Sequence, residues 1–209
     1  MIPVTDTVEV RRHDVDRLLT FVDAIVAIAI TLLVLPLAEL TPGLGDQSVA
    51  HLLRTHQGQF WSFLLSFVVI ARLWLVQHHN LRNVVIAPDR LDLLLMTWTA
   101  TIVFLPFPTA LLANAGSQAV TKLLYIGTIT LNVGVVAVMD LLIGHHPTST
   151  GGHPPPDLAS ALTNVILLVV ALILALLLPG ASYYTLLLLT LDKPVLSLWR
   201  RVGSRKATA

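Results

Sequence analysis

From Leu18 to Leu40 the chain is almost entirely apolar, opened by Arg17 and interrupted near its start by one carboxylate, Asp23. A helix of about 20 such residues crosses a bilayer core. Inside hydrocarbon each backbone polar group must be bonded within the protein, so a lone spanning segment of this kind folds as a helix. A charge on such a helix is costly where it faces lipid. Asp23 is therefore expected to face protein or water and to have a partner.

The pattern recurs. Phe60–Gln77, Leu91–Leu112, Val120–Ile143 and Leu158–Leu178 are comparable runs, and Ala181–Trp199 is a sixth, weakened by Asp192-Lys193-Pro194. Only 12% of residues are charged and 55% are hydrophobic, with a mean hydropathy of +0.79, whereas about a quarter of a soluble domain is charged. Pro179-Gly180 marks a tight turn. Longer connectors fall at residues 41–59 and 144–157, the second a flexible surface loop by its Gly151-Gly152-His153-Pro154-Pro155-Pro156 stretch. Residues 1–16 mix acids and bases, and the first apolar run exceeds the roughly 7–15 residues of a signal-peptide core, so it is expected to be retained. Without cysteine there is no disulfide framework and no thiolate zinc site.

Charge selects the number of spans. Lys and Arg concentrate on cytoplasmic flanks. Arg11, Arg12 and Arg17 precede the first run, and Arg200, Arg201, Arg205 and Lys206 follow the last. Two basic ends require an even number of crossings. Six also puts Arg82 and Arg90 inside, leaving only Arg54 and Lys122 outside. The expectation is an all-α, multi-pass cell-membrane protein with both termini cytoplasmic. It forms a single domain over residues 1–209, flanked by 1–16 and the basic tail 200–209. No second Arg-x-x-x-Phe-x-Asp occurs, so the first helix has no internal duplicate.

Side chains on a helix step by about 100°. Ala24, Ile28, Thr31, Leu32 and Leu35 then share one stripe, and Glu39 returns to it if Pro36 leaves the phase intact. Asp23 lies about 140° from Ile28, which suits an anchor between helices rather than a group facing the same space. Any apolar helix supplies such a stripe for packing against lipid or other helices. Several copies around an axis would instead make an apolar constriction with a hydroxyl ring and an acidic outer mouth. Pores gate by such constrictions, and acidic rings favour cations.

The segment Arg17-x-x-x-Phe21-x-Asp23, followed by Ala-Ile-x-Ala-Ile-Ala-Ile-Thr-Leu-Leu, resembles the first-helix signature of the endosomal and lysosomal potassium channel family and its bacterial homologues. Ser66-Phe67 and Trp74-Leu-Val-Gln-His78-His79-Asn80 are similar to the family's second-helix ending. The resemblance implies a potassium-selective channel, leaky to other monovalent cations, without the Thr-Val-Gly-Tyr-Gly filter. It implies six helices per chain, the first lining a central pore in a homotetramer. It puts the constriction on Ile28, with further layers at Leu32 and Leu35, a selectivity layer at Thr31 and the outer mouth at Glu39. Potassium is the permeant ion and no cofactor is implied; the partners are further copies of the chain and the bilayer, not nucleic acid. Val22 stands where the family has serine, which removes a hydroxyl from the inner end.

Arg72 lies in the inner half of the second run. A structural polar cluster of Arg17, Phe21, Asp23, Arg72, Trp74 and His78 is expected to tie the first helix to the second, because buried membrane charges pair. Alternatively, Arg72 snorkels alone to the interface. His78-His79 and His145-His146 are adjacent pairs whose rings diverge by about 100°, so no metal site is expected. Asp92 and Asp140 are expected as helix-end or interface charges. No nucleophile–base constellation suggests an enzyme. An ion- or proton-coupled transporter is the competing reading, although transporters commonly show duplicated halves and broken helices.

Overall fold

The computed structural model describes residues 4–43, 48–82, 84, 88, 90–115, 118–146 and 166. The expected spans Leu158–Leu178 and Ala181–Trp199 lie outside the described residues, Ile166 apart. Among the described residues all regular structure is helical, and four helical segments are long and apolar enough to cross a membrane: Val15–Ala38, Gln57–Leu81, Leu91–Ala115 and Ala119–Gly144.

The first helix, α1 (Val4–Leu32), starts well before the apolar run. Residues 4–16, expected as a mere flank, extend it. Its end follows from Pro36, which has no N–H for the Leu32 carbonyl. Ahead of it the chain tightens: Leu33 N bonds Ile30 O at 3.3 Å and Val34 N bonds Thr31 O at 3.2 Å. A short helix, α2 (Leu35–Ala38), completes the span. The connector that follows is more ordered than a loop. It holds a 3-10 turn, Thr41–Gly43, and α3 (Val49–Thr55), whose first turn is capped by Ser48 Oγ accepting from His51 N at 3.2 Å.

The second span is one helix, α4 (Gln57–Leu81); the third is split into α5 (Leu91–Phe104) and α6 (Pro106–Ala115); the fourth is α7 (Ala119–Gly144). Burial picks out one face of each. On the first span it takes Val22, Val26, Ala29 and Leu33; on α4, Ile70 and Leu73; on α5, Leu91, Leu95, Trp98 and Ile102; on α7, Tyr125, Ile129, Asn132, Val136, Met139 and Ile143. These positions recur every three or four residues, so one stripe per helix meets its neighbours. α5 sits centrally, packed on α7 and α1, while α6 packs on α4 and α7.

Polar side chains tie this apolar core. Asn132 Nδ2 on α7 donates to Thr101 Oγ1 at 2.6 Å and to the Trp98 carbonyl at 3.4 Å, both on the third span. Near the C-terminal end of α4, Asn80 Nδ2 lies 3.0 Å from both carboxylate oxygens of Asp140. Asp140 is thus not a free helix-end charge: its side chain is buried and held by the second span. Asp92 is the exposed acid in the first turn of α5, a position the helix dipole favours.

Trp98 is completely enclosed, whereas Leu93 on the same helix is 64% exposed. Trp98→Ala should therefore destabilise the protein by about 3–5 kcal/mol, the cost of a large core truncation. Leu93→Ala should change it by under ~0.5 kcal/mol. Equilibrium unfolding in a fixed detergent, followed by helical circular dichroism, measures both; equal effects would contradict the packing.

Candidate functional site

The first span, α1 continued by α2, has two unlike sides. The side bearing Val22, Val26, Ala29 and Leu33 is buried against the other spans. The opposite side carries Phe21, Ala24, Ala27, Ile28, Thr31, Leu32 and Leu35, all exposed. Ile28 is 60% and Leu35 52% exposed, and this span is the least covered of the four. The stripe read from helical spacing is therefore a continuous surface that no described helix covers. Ala24 and Ala27 keep it low enough for another helix to approach closely.

Thr31 is the hydroxyl on that surface. Its Oγ1 donates to the Ile28 carbonyl at 2.7 Å, closing back on its own helix. The single hydroxyl proton is committed to the backbone, so the oxygen presents lone pairs, and not a donor, to whatever approaches. Glu39 caps the end of α2 and is also exposed. The two tightened residues at Leu33 and Val34 each add about 20° of turn relative to an α-helix, so Glu39 sits about 40° off its ideal place on the stripe.

Asp23 is anchored on a different side. The indole Nε1 of Trp74 on α4 donates to Asp23 Oδ1 at 2.7 Å, in a half-buried setting. His78, one turn on from Trp74, stacks on the indole with ring centroids 5.5 Å apart and planes inclined by 38°. Asp23, Trp74 and His78 thus form one line between α1 and α4. Arg17 and Phe21 of the expected cluster are exposed and stand apart from this line. Arg17 lies six residues before Asp23, about 120° round the helix and about 9 Å along it. It is exposed, and with Asp16, Thr20, Phe21 and Ala24 it lines a shallow groove on the free surface of α1. Arg72 is half-buried.

Val22 is 0% exposed and belongs to the apolar core. Where the resembled motif carries a hydroxyl, this chain places packing volume. The interhelical partners of Asp140 and Asn132 were not singled out from sequence. The available signal was a polar residue on the buried stripe of an apolar helix, which names the residue but not its partner.

Comparison with known proteins falls on the same stretch. Residues 17–106, from α1 to the start of α6, match the family described as the endosomal/lysosomal potassium channel TMEM175. A protein of Streptomyces collinus named as a potassium channel is 34% identical over 102 residues, covering 47% of this chain and 47% of that one. This chain therefore matches over about half the length of that relative. The matched residues carry both the Asp23–Trp74 anchor and the free stripe.

Removing the anchor has a calculable cost. Trp74→Phe keeps the ring and deletes the donor to a charged acceptor, which should cost about 1.5–3 kcal/mol. A double-mutant cycle with Asp23→Ala, which removes the acceptor, read by unfolding in detergent, should give a coupling energy of about 1 kcal/mol or more. Additive effects would mean that the 2.7 Å contact contributes nothing.

Proposed function

We propose that this chain is one subunit of a homotetrameric cation channel, selective for potassium over sodium but leaky to other monovalent cations, with its first helix lining the pore. The observation that carries this reading is the free surface of α1: a helix tied on one side by Asp23 and buried packing, with Ile28, Thr31, Leu32 and Leu35 open on the other. The likeness of residues 17–106 to a potassium channel family supports the ion and the mode of transport. The chain crosses the membrane six times with both termini cytoplasmic, acts as one domain, and uses no catalytic chemistry.

In a four-fold assembly the Ile28 side chains meet at the axis. An apolar ring offers no oxygen to replace an ion's hydration shell, so it sets the barrier to hydrated ions. One turn outward Thr31 presents a ring of hydroxyl oxygens whose protons are held by the Ile28 carbonyls. Four acceptor oxygens suit a partly dehydrated cation. Glu39 at the outer mouth raises the local concentration of cations. The exposed arc of α1 is wider than one stripe, from Thr20 and Phe21 round to Val34, which leaves area for neighbouring subunits on either side of the axis.

Reversal potential and unitary conductance in planar bilayers test the assignment. Ile28→Asn should raise conductance and weaken discrimination between potassium and sodium, by widening and wetting the ring. Thr31→Val should weaken discrimination while leaving the width unchanged, because it deletes only the oxygen. Potassium flux coupled to a proton gradient, or Ile28→Asn leaving both quantities unaltered, would contradict the proposal.

A further inference from the structure

The third span is not one helix. α5 stops at Phe104 and α6 starts at Pro106, with Leu105 between. Neither Pro106 nor Pro108 has an N–H to give, so two ladder bonds across the joint are lost. Leu105 N closes on Ile102 O at 3.2 Å instead, and regular bonding resumes with Thr109 N to Leu105 O at 3.1 Å. The two halves share α7 but differ in their second neighbour: α5 packs on α7 and α1, α6 on α4 and α7. A joint of this kind, with α1 held mainly to one half and α4 mainly to the other, is where a span bends.

Three hydroxyls converge there. Thr109 Oγ1 lies 2.8 Å from the Leu105 carbonyl and 2.8 Å from Ser66 Oγ, which in turn lies 3.0 Å from the Tyr125 hydroxyl. Thr109, Ser66 and Tyr125 are 5%, 1% and 1% exposed, well away from solvent. A carbonyl only accepts, and each hydroxyl has one proton. The consistent order is therefore Tyr125 to Ser66, Ser66 to Thr109, and Thr109 to Leu105 O. Within this chain Thr109 and Ser66 sit on the packed pair α6 and α4, and Tyr125 sits on α7 with α5. The Ser66–Tyr125 bond is the member that crosses from one pair to the other.

We propose that the joint at Leu105 is a hinge between two bodies, α6 with the outer half of α4 and α5 with α7, and that the Tyr125–Ser66–Thr109 hydroxyl chain is its latch. The inner end of α4 is pinned to α1 by Trp74 and Asp23, so swinging of the outer half pivots about that end. The motion changes the space beside the outer part of α1, where Leu32 and Leu35 lie. Its consequence for conduction rests on the channel reading; the motion itself does not.

The absence of cysteine allows a direct test. Spin labels are placed on cysteines introduced in the full chain at Leu93 and Phe107, across the joint, or at Trp61 and Phe107, within one body; all three positions are exposed. Labelled protein is diluted with unlabelled chain in lipid nanodiscs and distances are read by pulsed electron paramagnetic resonance. The Leu93–Phe107 pair should show a dominant and a minor distance, and Tyr125→Phe should shift their ratio about fivefold, the effect of one lost hydrogen bond. The Trp61–Phe107 pair should keep a single narrow distance. Pro106→Ala, which restores an N–H, should collapse Leu93–Phe107 to one distance. A single unchanged Leu93–Phe107 distance in the wild type and Tyr125→Phe, or a Pro106→Ala variant that keeps both distances, overturns the hinge. These distances are independent of ion flux, so a failed channel reading would leave them unaffected.

Discussion

A carboxylate inside an apolar helix restricts how that helix can be turned. Asp23 must not face lipid, and the indole of Trp74 holds it at 2.7 Å on the side of α1 that meets α4. With that rotation set, Val22, Val26, Ala29 and Leu33 go to the core and Ile28, Thr31, Leu32 and Leu35 turn outward. The fold supplies one packed side and one free side, and everything proposed for the chain's activity rests on that division. A helix free to rotate would present no defined stripe to a neighbour.

Prolines and polar side chains divide the remaining work. Pro36 leaves the Leu32 carbonyl without its donor, so α1 ends at Leu32 and the tightened turn at Leu33 and Val34 shifts the phase of Leu35 and Glu39. Pro106 and Pro108 split the third span, and side-chain hydroxyls supplement the backbone bonds that remain there. Asn132 and Asn80 tie α7 to the third and second spans at two further depths. Each tie lies where an unpaired polar group would be costly, so each acts on the register of the helices as well as on their stability.

Much of this was legible in the sequence because bilayer length and the 3.6-residue period act locally. The first four spans fall within a few residues of the expected limits, and the Ile28 stripe and the offset of Asp23 follow from arithmetic on one helix. What was not legible was non-local. Residues 4–16 are too polar to register as part of a span, yet they continue α1. Arg17 was expected in one cluster with Asp23 because the two share a depth and buried membrane charges pair, but six residues on a helix turn them about 120° apart. Ser66, Thr109 and Tyr125 lie on three different elements, and no pattern within any one of them indicates that they meet. The split at Leu105 was signalled by Pro106 and Pro108, but a proline in an apolar run does not by itself tell a kink from a full break.

The central claim is that the outward stripe of α1 faces a water-filled ion path rather than lipid. The absence of native cysteine makes single-cysteine accessibility the most direct measurement: cysteine is introduced in turn at Ile28, Leu32, Leu35 and the exposed Leu93 of α5, and potassium flux from liposomes is followed on adding silver ion. The account predicts rapid, irreversible loss of flux at Ile28, Leu32 and Leu35, with none at Leu93. Inhibition at the stripe no faster than at Leu93 would contradict it.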